Sequence, residues 1–363
     1  MTFWERVGSS HYITTLDLCK GYWQVPLSTE SKECTAFRTP FGHFQFTVLP
    51  FGLNGAPATF QRLMDRVLVG TESFAASYID DVAIYSRSWQ EHLTHLQEVF
   101  RRLKGAGLTI RPDKCSFAKQ ETEYLGYVLG SGVIRPQVGK LEAVRLAERP
   151  TTKAQVKSFM GLIGWYGRFI PRLSTISAPL TDLTRKDLPN KVKWTESCEM
   201  AFNTLKDLLC KEPILKSPDF EQPFVVQTDA SDVGIGAALL QGEAGNLLPV
   251  VYISRKLLKH ERPYSVVEKE CLAIKWALDS LKYYLLGREF VLETDHRALS
   301  WLQNMKDTNS RITRWFLAMQ PYDFVVQYRK GSENCTADFL SRTPQGASSE
   351  GGGNVTGQPV PYT

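Results

Sequence analysis

The sequence has no apolar run approaching the roughly 18 residues that a membrane-spanning helix needs, and its opening, MTFWERVGSS, lacks the basic start and apolar core of a secretory signal. The chain is therefore expected inside the cell, in the cytoplasm or the nucleus. Cysteine is sparse: seven among 363 residues (Cys19, Cys34, Cys115, Cys198, Cys210, Cys271 and Cys335), an odd number, far apart, with no C-x-x-C pair. That pattern argues against a disulfide framework and a structural zinc site, and suits reduced thiols. Charge is nearly balanced, a net +5, too small an excess to name a partner. No internal repeat is present. The stretch after Thr343, PQGASSEGGGNVTGQPVPYT, has little apolar material to bury and reads as a disordered tail over 344–363.

Apolar residues are otherwise ample. At 43% hydrophobic, 363 residues can build two or three domains, each with its own core. Over residues 1–139, strand-like runs (HYITTLDL, SYIDDVAIYS, TEYLGYVL) alternate with helical ones (PATFQRLMDRVLVG, QEHLTHLQEVFRRLKGAG), the mark of an α/β or α+β domain. Residues 140–222 read as helical and basic. Between Lys140 and Lys193, eleven Lys or Arg stand against four Asp or Glu, a surplus of seven, and SFMGLIGWYGRFIPRL interleaves aromatics with them. Such a surface could follow a phosphate backbone and stack on bases; the same aromatics could equally form a core. From residue 223 to 343 a second mixed pattern follows. Three strand candidates begin with PFVVQTDASDVGIGAALLQ; then come a long helix, the strand REFVLETDH, two helices, the strand YDFVVQYRKG and a closing helix, CTADFLSR.

In SYIDDVAIYS, residues 77–86, Asp80 and Asp81 sit side by side in an otherwise apolar, β-branched and aromatic hairpin. Adjacent carboxylates repel unless a cation sits between them. Mg²⁺ prefers oxygen ligands, usually one or two carboxylates with phosphate oxygens. Asp17, ending the strand-like run of TTLDLCKGYWQV, would complete a two-metal site; the alternative for the pair is an Asx turn in a solvated hairpin. The C-terminal region offers carboxylates at four places: Asp229 in FVVQTDAS, Glu268 or Glu270 in VVEKECLAIKWALDSLKYYLL, Asp295 in VLETDH and Asp338 in TADFLSR. Helix geometry separates the glutamates. Val267, Cys271, Ile274, Leu278, Leu281 and Leu285 form one apolar stripe, and at about 100° per residue Glu270 lies about 60° from its centre and Glu268 about 100° away. Glu270 is expected to border the sheet-facing side near Asp229 and Asp295, and Glu268 to be solvated. Asp338 also reads as a helix N-terminal acid.

Taken together, LDLCKGYWQVPL, TAFRTPFGHFQFTVLPFGLNGAPATFQRLMDRVL, YIDD, GLTIRPDKCSF and YLGYVL resemble the palm of a reverse transcriptase of the gypsy-type LTR retrotransposon family, related to retroviral polymerases. The motifs stand in the family's order. The resemblance implies a multidomain α+β and α/β chain: a right-hand polymerase palm (1–139), a thumb or connection (140–222) and a ribonuclease H-like mixed sheet flanked by helices (223–343). It implies that Asp17 and Asp81 bind two Mg²⁺, with Mn²⁺ as the alternative, and that Asp80 lies beside them. An RNA or DNA template with its primer would be copied from deoxynucleoside triphosphates, the ions, about 3.5 to 4 Å apart, activating the primer 3′-hydroxyl and stabilising the leaving pyrophosphate. Tyr22, five residues after Asp17, resembles the steric gate that selects deoxynucleotides. Phe51 and Gly52 look like the strip beneath the incoming nucleotide and template, where glycine allows close approach. Tyr124, Leu125 and Gly126 resemble the primer grip. Lys114 sits where the family has a lysine proposed as general acid to the pyrophosphate, a solvated surface lysine being the plain alternative.

TDAS, EKECLAI, TDH and ADFLSR similarly resemble a ribonuclease H domain, the polymerase's usual companion. The resemblance implies that Asp229, Glu270, Asp295 and Asp338 gather two further Mg²⁺ to hydrolyse RNA in an RNA/DNA hybrid. Many retroviral relatives have a histidine in the loop before the last carboxylate. This chain has YRKGSEN, with Arg329 roughly there, and His296 is no obvious substitute, so product release or metal exchange is expected to differ. Only sixteen residues precede Asp17, so the fingers strands and the cations that grip the triphosphate are expected to be incomplete and polymerisation weakened or lost. Each missing charge-assisted hydrogen bond is worth about 1.5 to 3 kcal/mol. No aspartic protease pattern precedes and no integrase zinc signature follows, as expected for a piece of a Pol polyprotein. Two other readings stand beside a working reverse transcriptase: ribonuclease H as the sole activity, and a domesticated, non-catalytic remnant that binds nucleic acid or protein. All seven acidic candidates are present, which argues against long inactivity. No membrane partner is expected.

Overall fold

The computed structural model describes Val7 and residues 10–211, 213–243, 246–294 and 310–329. Asp295, His296, Asp338, the closing helix CTADFLSR and the tail lie outside the described residues. The six cysteines among the described residues are free thiols, and no described helix is long and apolar enough to cross a membrane.

The N-terminal region runs β1 (Tyr12–Asp17), the hairpin β2 (Phe37–Thr39) and β3 (Gly42–Phe44), α1 (Ala56–Val67), the hairpin β4 (Ala75–Tyr78) and β5 (Asp81–Ser86), α2 (Trp89–Gly105), then β6 (Ser116–Lys119), β7 (Glu121–Tyr124), β8 (Tyr127–Gly130) and β9 (Val133–Pro136). The principal sheet has the order β4-β5-β1-β6, antiparallel throughout. Its central strands are apolar on both faces because both are covered. Leu16, Val82 and Ile84 pack on Phe60 and Met64 of α1 and Val99 and Leu103 of α2, while Ile13, Ala83 and Tyr85 face a second core. α1 carries proline in its first turn, and α2 begins with a Ser88–Glu91 capping box.

The helical region contains α3 (Val138–Arg145), α4 (Lys153–Trp165), two short helices at Leu173–Ile176 and Ala178–Asp182, and α5 (Glu196–Cys210). It returns as β10 (Leu215–Lys216) onto β9, giving a second sheet of order β10-β9-β8-β7. Phe159, Tyr166 and Phe169 are buried with Tyr124, Tyr127 and Leu129 in one continuous core. The aromatics of SFMGLIGWYGRFIPRL are therefore mainly core, and Trp165, 52% exposed, is the exception.

The C-terminal region consists of β11 (Phe224–Ala230), β12 (Gly234–Glu243), β13 (Asn246–Lys256), α6 (Val266–Ser280), β14 (Glu289–Thr294), α7 (Ser310–Met319) and β15 (Asp323–Tyr328). Its sheet is mixed, in the order β13-β12-β11-β14-β15, with β11, β14 and β15 parallel and β12 antiparallel to both its neighbours. Cys271, Ile274 and Leu278 of α6, with Leu281 just past its end, pack on Phe224, Val226, Phe290 and Leu292, so the apolar stripe is buried as its spacing predicts.

Candidate active sites

The antiparallel register of β1 and β5 sets Asp17 directly opposite Asp81. Directly opposed side chains share one face of a sheet with Cβ atoms about 4.5 to 5.5 Å apart, so two carboxylates are held together at the end of its two central strands. The β4–β5 turn has only two residues, Ile79 and Asp80. Ile79 takes φ 58°, a conformation that costs a β-branched residue roughly 1 to 3 kcal/mol, and its N–H donates to Gln61 Oε1 at 2.7 Å. Asp80 lies close to Gly21: a Cβ on Gly21 would stand 3.0 Å from Asp80 Cβ. Burial, and then the charge of Asp80, push the Tyr22 hydroxyl up. The tight turn thus keeps Asp80 next to Asp81, whose carboxyl feels its charge, and also sets it against Gly21 and Tyr22. Among the described residues no three His, Cys, Asp or Glu side chains are grouped to hold an ion.

Burial first, then Asp80 and Asp17, push the Asp81 carboxyl up to about 6, while Lys114 pulls against them. Lys114 Nζ lies 3.5 Å from Asp17 Oδ2, carried there by a turn in which the Arg111 N–H donates to the Asp17 carbonyl at 2.8 Å. This lysine is neither remote nor tightly paired. Asp17, Asp81 and Lys114 line a cavity together with Tyr124, Leu125 and Gly126. Leu125 (φ 49°) and Gly126 (φ 82°) form a two-residue turn with both residues left-handed, a geometry suited to a tight hairpin. The Tyr124 hydroxyl donates to the Asp81 carbonyl at 3.2 Å, and the Tyr166 hydroxyl to the Gly126 carbonyl at 3.0 Å. The turn is thereby tied both to the acidic strand and to the end of α4. Glu123 and Gln137, 2.6 Å apart, also line the cavity; no motif in the sequence marked them.

Tyr22 packs against Phe51 and Phe60, ring centroids 5.2 and 5.7 Å away, and Phe51 is 59% exposed. Gly52 has φ 93° and no heavy atom within 4 Å of the place its Cβ would take. Its backbone angle, rather than close approach within the chain, is what calls for glycine there.

In the C-terminal sheet, Asp229 lies opposite Gly236 of β12. Arg172 Nε stands 3.0 Å from Asp229 Oδ2, with the two side chains only 13% and 22% exposed. Glu270, 6% exposed, occupies α6 at the border of the buried face, as its angle on the helix predicts. Burial, then Glu270 and Glu268, push the neighbouring Cys271 thiol up to about 12. The start of α6 sits at the same end of the sheet as Asp229. Lys269 Nζ is 2.7 Å from Asp232 Oδ1, and Leu272 and Ala273 pack with Ala230 and Ile235.

Glu268 is not solvated, contrary to expectation. It closes a capping box with Ser265, accepting that residue's N–H at 2.9 Å, and pairs with Arg311 at 2.7 Å. The S-x-x-E spacing was the local signal for it. Arg329 is held by Glu293 at 3.0 Å, and Gln227 Nε2 donates to the same Glu293 oxygen at 2.7 Å.

Residues 2–129 match the family described as reverse transcriptase (RNA-dependent DNA polymerase), and residues 219–322 match the RNase H-like domain found in reverse transcriptase. The chain carries the reverse transcriptase and ribonuclease H-like domains of a retroelement Pol polyprotein. It is 41% identical to the retrovirus-related Pol polyprotein from transposon 297 of Drosophila melanogaster, 36% to that from transposon gypsy of the same species, and 34% to the transposon Tf2-3 polyprotein of Schizosaccharomyces pombe, each over 93% of this chain. It spans 31%, 33% and 26% of those relatives' own lengths. Among solved structures, the foamy viral protease-reverse transcriptase dRH in complex with ds DNA superposes with a TM-score of 0.76 at 24% identity, over 88% of this chain and 57% of that one. The foamy viral protease-reverse transcriptase in complex with RNA/DNA hybrid gives 0.73 at 22%, over 98% of this chain and 49% of that one. These structures share the fold.

The reverse transcriptase domain's donor set fits a divalent cation: Asp17 and Asp81 present hard oxygens whose mutual repulsion a cation would relieve. In the ribonuclease H-like domain, the Asp229 carboxylate is already paired with a positive charge, the guanidinium of Arg172, and Glu270 adds a second carboxylate at that end of the sheet.

Proposed function

We propose that the chain is an RNA-directed DNA polymerase with ribonuclease H activity, working in the cytoplasm or nucleus on a primed RNA or DNA template, deoxynucleoside triphosphates and RNA/DNA hybrids. One observation carries the polymerase reading: Asp17 opposes Asp81 at a cavity that the Tyr124–Gly126 turn also lines. Asp17 and Asp81 would hold Mg²⁺ or Mn²⁺ in one domain, and Asp229 and Glu270, with Asp295 and Asp338, in the other. When bound, such ions act as Lewis acids on the attacking oxygen and offset charge on the leaving one. The chain's own residues set the geometry. Tyr22, braced by Phe51 and Phe60, closes the sugar pocket against a 2′-hydroxyl. The Leu125–Gly126 turn, tied down by Tyr124 and Tyr166, positions the primer end. Lys114 supplies a cation beside Asp17 for the departing pyrophosphate.

The test uses the purified chain with a labelled RNA/DNA hybrid and, separately, a primed template with deoxynucleotides, each with Mg²⁺ or EDTA. Asp229→Asn is expected to abolish hybrid cleavage and spare extension; Asp81→Asn should lower extension by roughly a hundredfold or more and spare cleavage. Cleavage that survives Asp229→Asn, or extension that survives Asp81→Asn, would overturn the corresponding assignment.

A further inference from the structure

Arg172 belongs to the helical region, yet its guanidinium rests on the first acidic residue of the ribonuclease H-like sheet. Its backbone is left-handed, φ 47° and ψ 32°, a region that side chains other than glycine, asparagine and aspartate enter at a cost. The surroundings hold it there. Gly236, opposite Asp229, has no side chain, and a Cβ on it would stand 3.7 Å from Arg172 Cγ, so the arginine stem crosses β12 over the floor that the glycine leaves. A Cβ on Gly234 would meet Thr175 Oγ1 at 3.0 Å and Ser174 Oγ at 3.3 Å. The Ser174 N–H donates to Ser254 Oγ at 2.9 Å. Lys256 Nζ reaches the Ala178 carbonyl and Asp182 Oδ1, each at 3.3 Å, and the Thr181 hydroxyl. Two charge pairs cross here, Arg172 with Asp229 and Lys256 with Asp182, and Tyr252 of β13 packs against the core of the helical region; of the two pairs, only the first takes up a candidate metal-binding carboxylate.

We propose that Arg172 is a latch that occupies Asp229 in place of a divalent cation, so that docking of the helical region on the ribonuclease H-like sheet and loading of that domain's metal site exclude each other. This rests on the reading of Asp229 as a metal ligand. A fixed guanidinium 3.0 Å from a carboxylate oxygen both uses that oxygen's charge and repels an approaching dication. By linkage, a metal that binds only the undocked form opens the interface, and opening the interface tightens metal binding by the same factor.

The test titrates Mn²⁺ calorimetrically into the full chain carrying Asp81→Asn, which weakens the other acidic site, with and without Arg172→Asn. Asparagine accepts the left-handed backbone and removes the cation, so the variant keeps its fold. Mn²⁺ affinity should rise about fivefold or more. In the Arg172 parent, Mn²⁺ should speed amide hydrogen exchange across residues 172–176. Affinity that falls or stays within twofold in Arg172→Asn, or exchange that Mn²⁺ leaves unaltered, overturns the latch. A companion Asp229→Asn titration separates the two ideas: if it leaves the isotherm intact, the reading of Asp229 as a ligand fails, whereas loss of the isotherm with no Arg172 effect defeats the latch alone.

Discussion

Asp81 sits partly buried opposite Asp17, and burial together with Asp80 and Asp17 holds its carboxyl at about 6. A carboxyl raised on folding stabilises the fold fully below its unfolded pKa, and that contribution is lost as pH rises through about 6. At neutral pH the ionised group costs the metal-free fold on the order of 1 kcal/mol, discounted for its remaining contact with water. Asp81→Asn should recover about that amount in urea unfolding at pH 7.5 in EDTA, and the gain should shrink toward pH 4. His92 acts in the opposite sense. It is fully buried, 2.8 Å from Thr14 Oγ1 and 2.9 Å from Ser86 Oγ, and burial, then His95, lowers its pKa. Its contribution is present above about pH 6.5 and lost as pH falls, because the unfolded chain takes up the proton that the folded one refuses. Urea midpoints for His92→Gln should therefore fall less steeply than the parent's between pH 7 and 5; an equal slope would place the proton uptake elsewhere. At this scale the sequence marked the acids by their positions at strand ends. It could not show that Asp80 also sits against Gly21 and Tyr22, which depends on the strained Ile79 turn.

The Leu125–Gly126 turn illustrates how elements cooperate. Its carbonyl at Gly126 accepts from Tyr166, and the Tyr127 hydroxyl donates to the Trp165 carbonyl at 2.7 Å, so the end of α4 fixes the turn over the acidic pair. Tyr166→Phe removes one hydrogen bond and should cost about 1 kcal/mol. Primer extension should drop severalfold with hybrid cleavage unchanged; parallel losses in both assays would mean that the hydroxyl supports the fold alone. Strands and helices were legible here because alternation, apolar spacing and capping residues are local. Whether the aromatics of α4 faced nucleic acid or a core was not legible, since that depends on β7, β8 and α5 arriving to cover them.

Besides the core between the principal sheet and α1 and α2, one core is shared by the second sheet and the helical region and another lies under the ribonuclease H-like sheet. Leu205 lies in the core of the helical region and Ile274 in the ribonuclease H-like core, each fully buried. Leu205→Ala and Ile274→Ala should each cost about 2 to 5 kcal/mol, but move different transitions in calorimetry, the first carrying extension with it and the second cleavage. A single transition displaced by both would mean that the docked interface couples the cores.

The sequence by itself determined the alternation of its main strands and helices and the presence of carboxylates at strand ends, because hydrophobic period and turn chemistry are written in neighbouring residues, while the mixed character of the C-terminal sheet followed only from the family resemblance. Only the tertiary structure decided which charges meet. Asp17 faces Asp81 through strand register, Glu268 meets Arg311, and Arg172 lies on Asp229, pairings that form between segments remote in the chain and that no local pattern encodes.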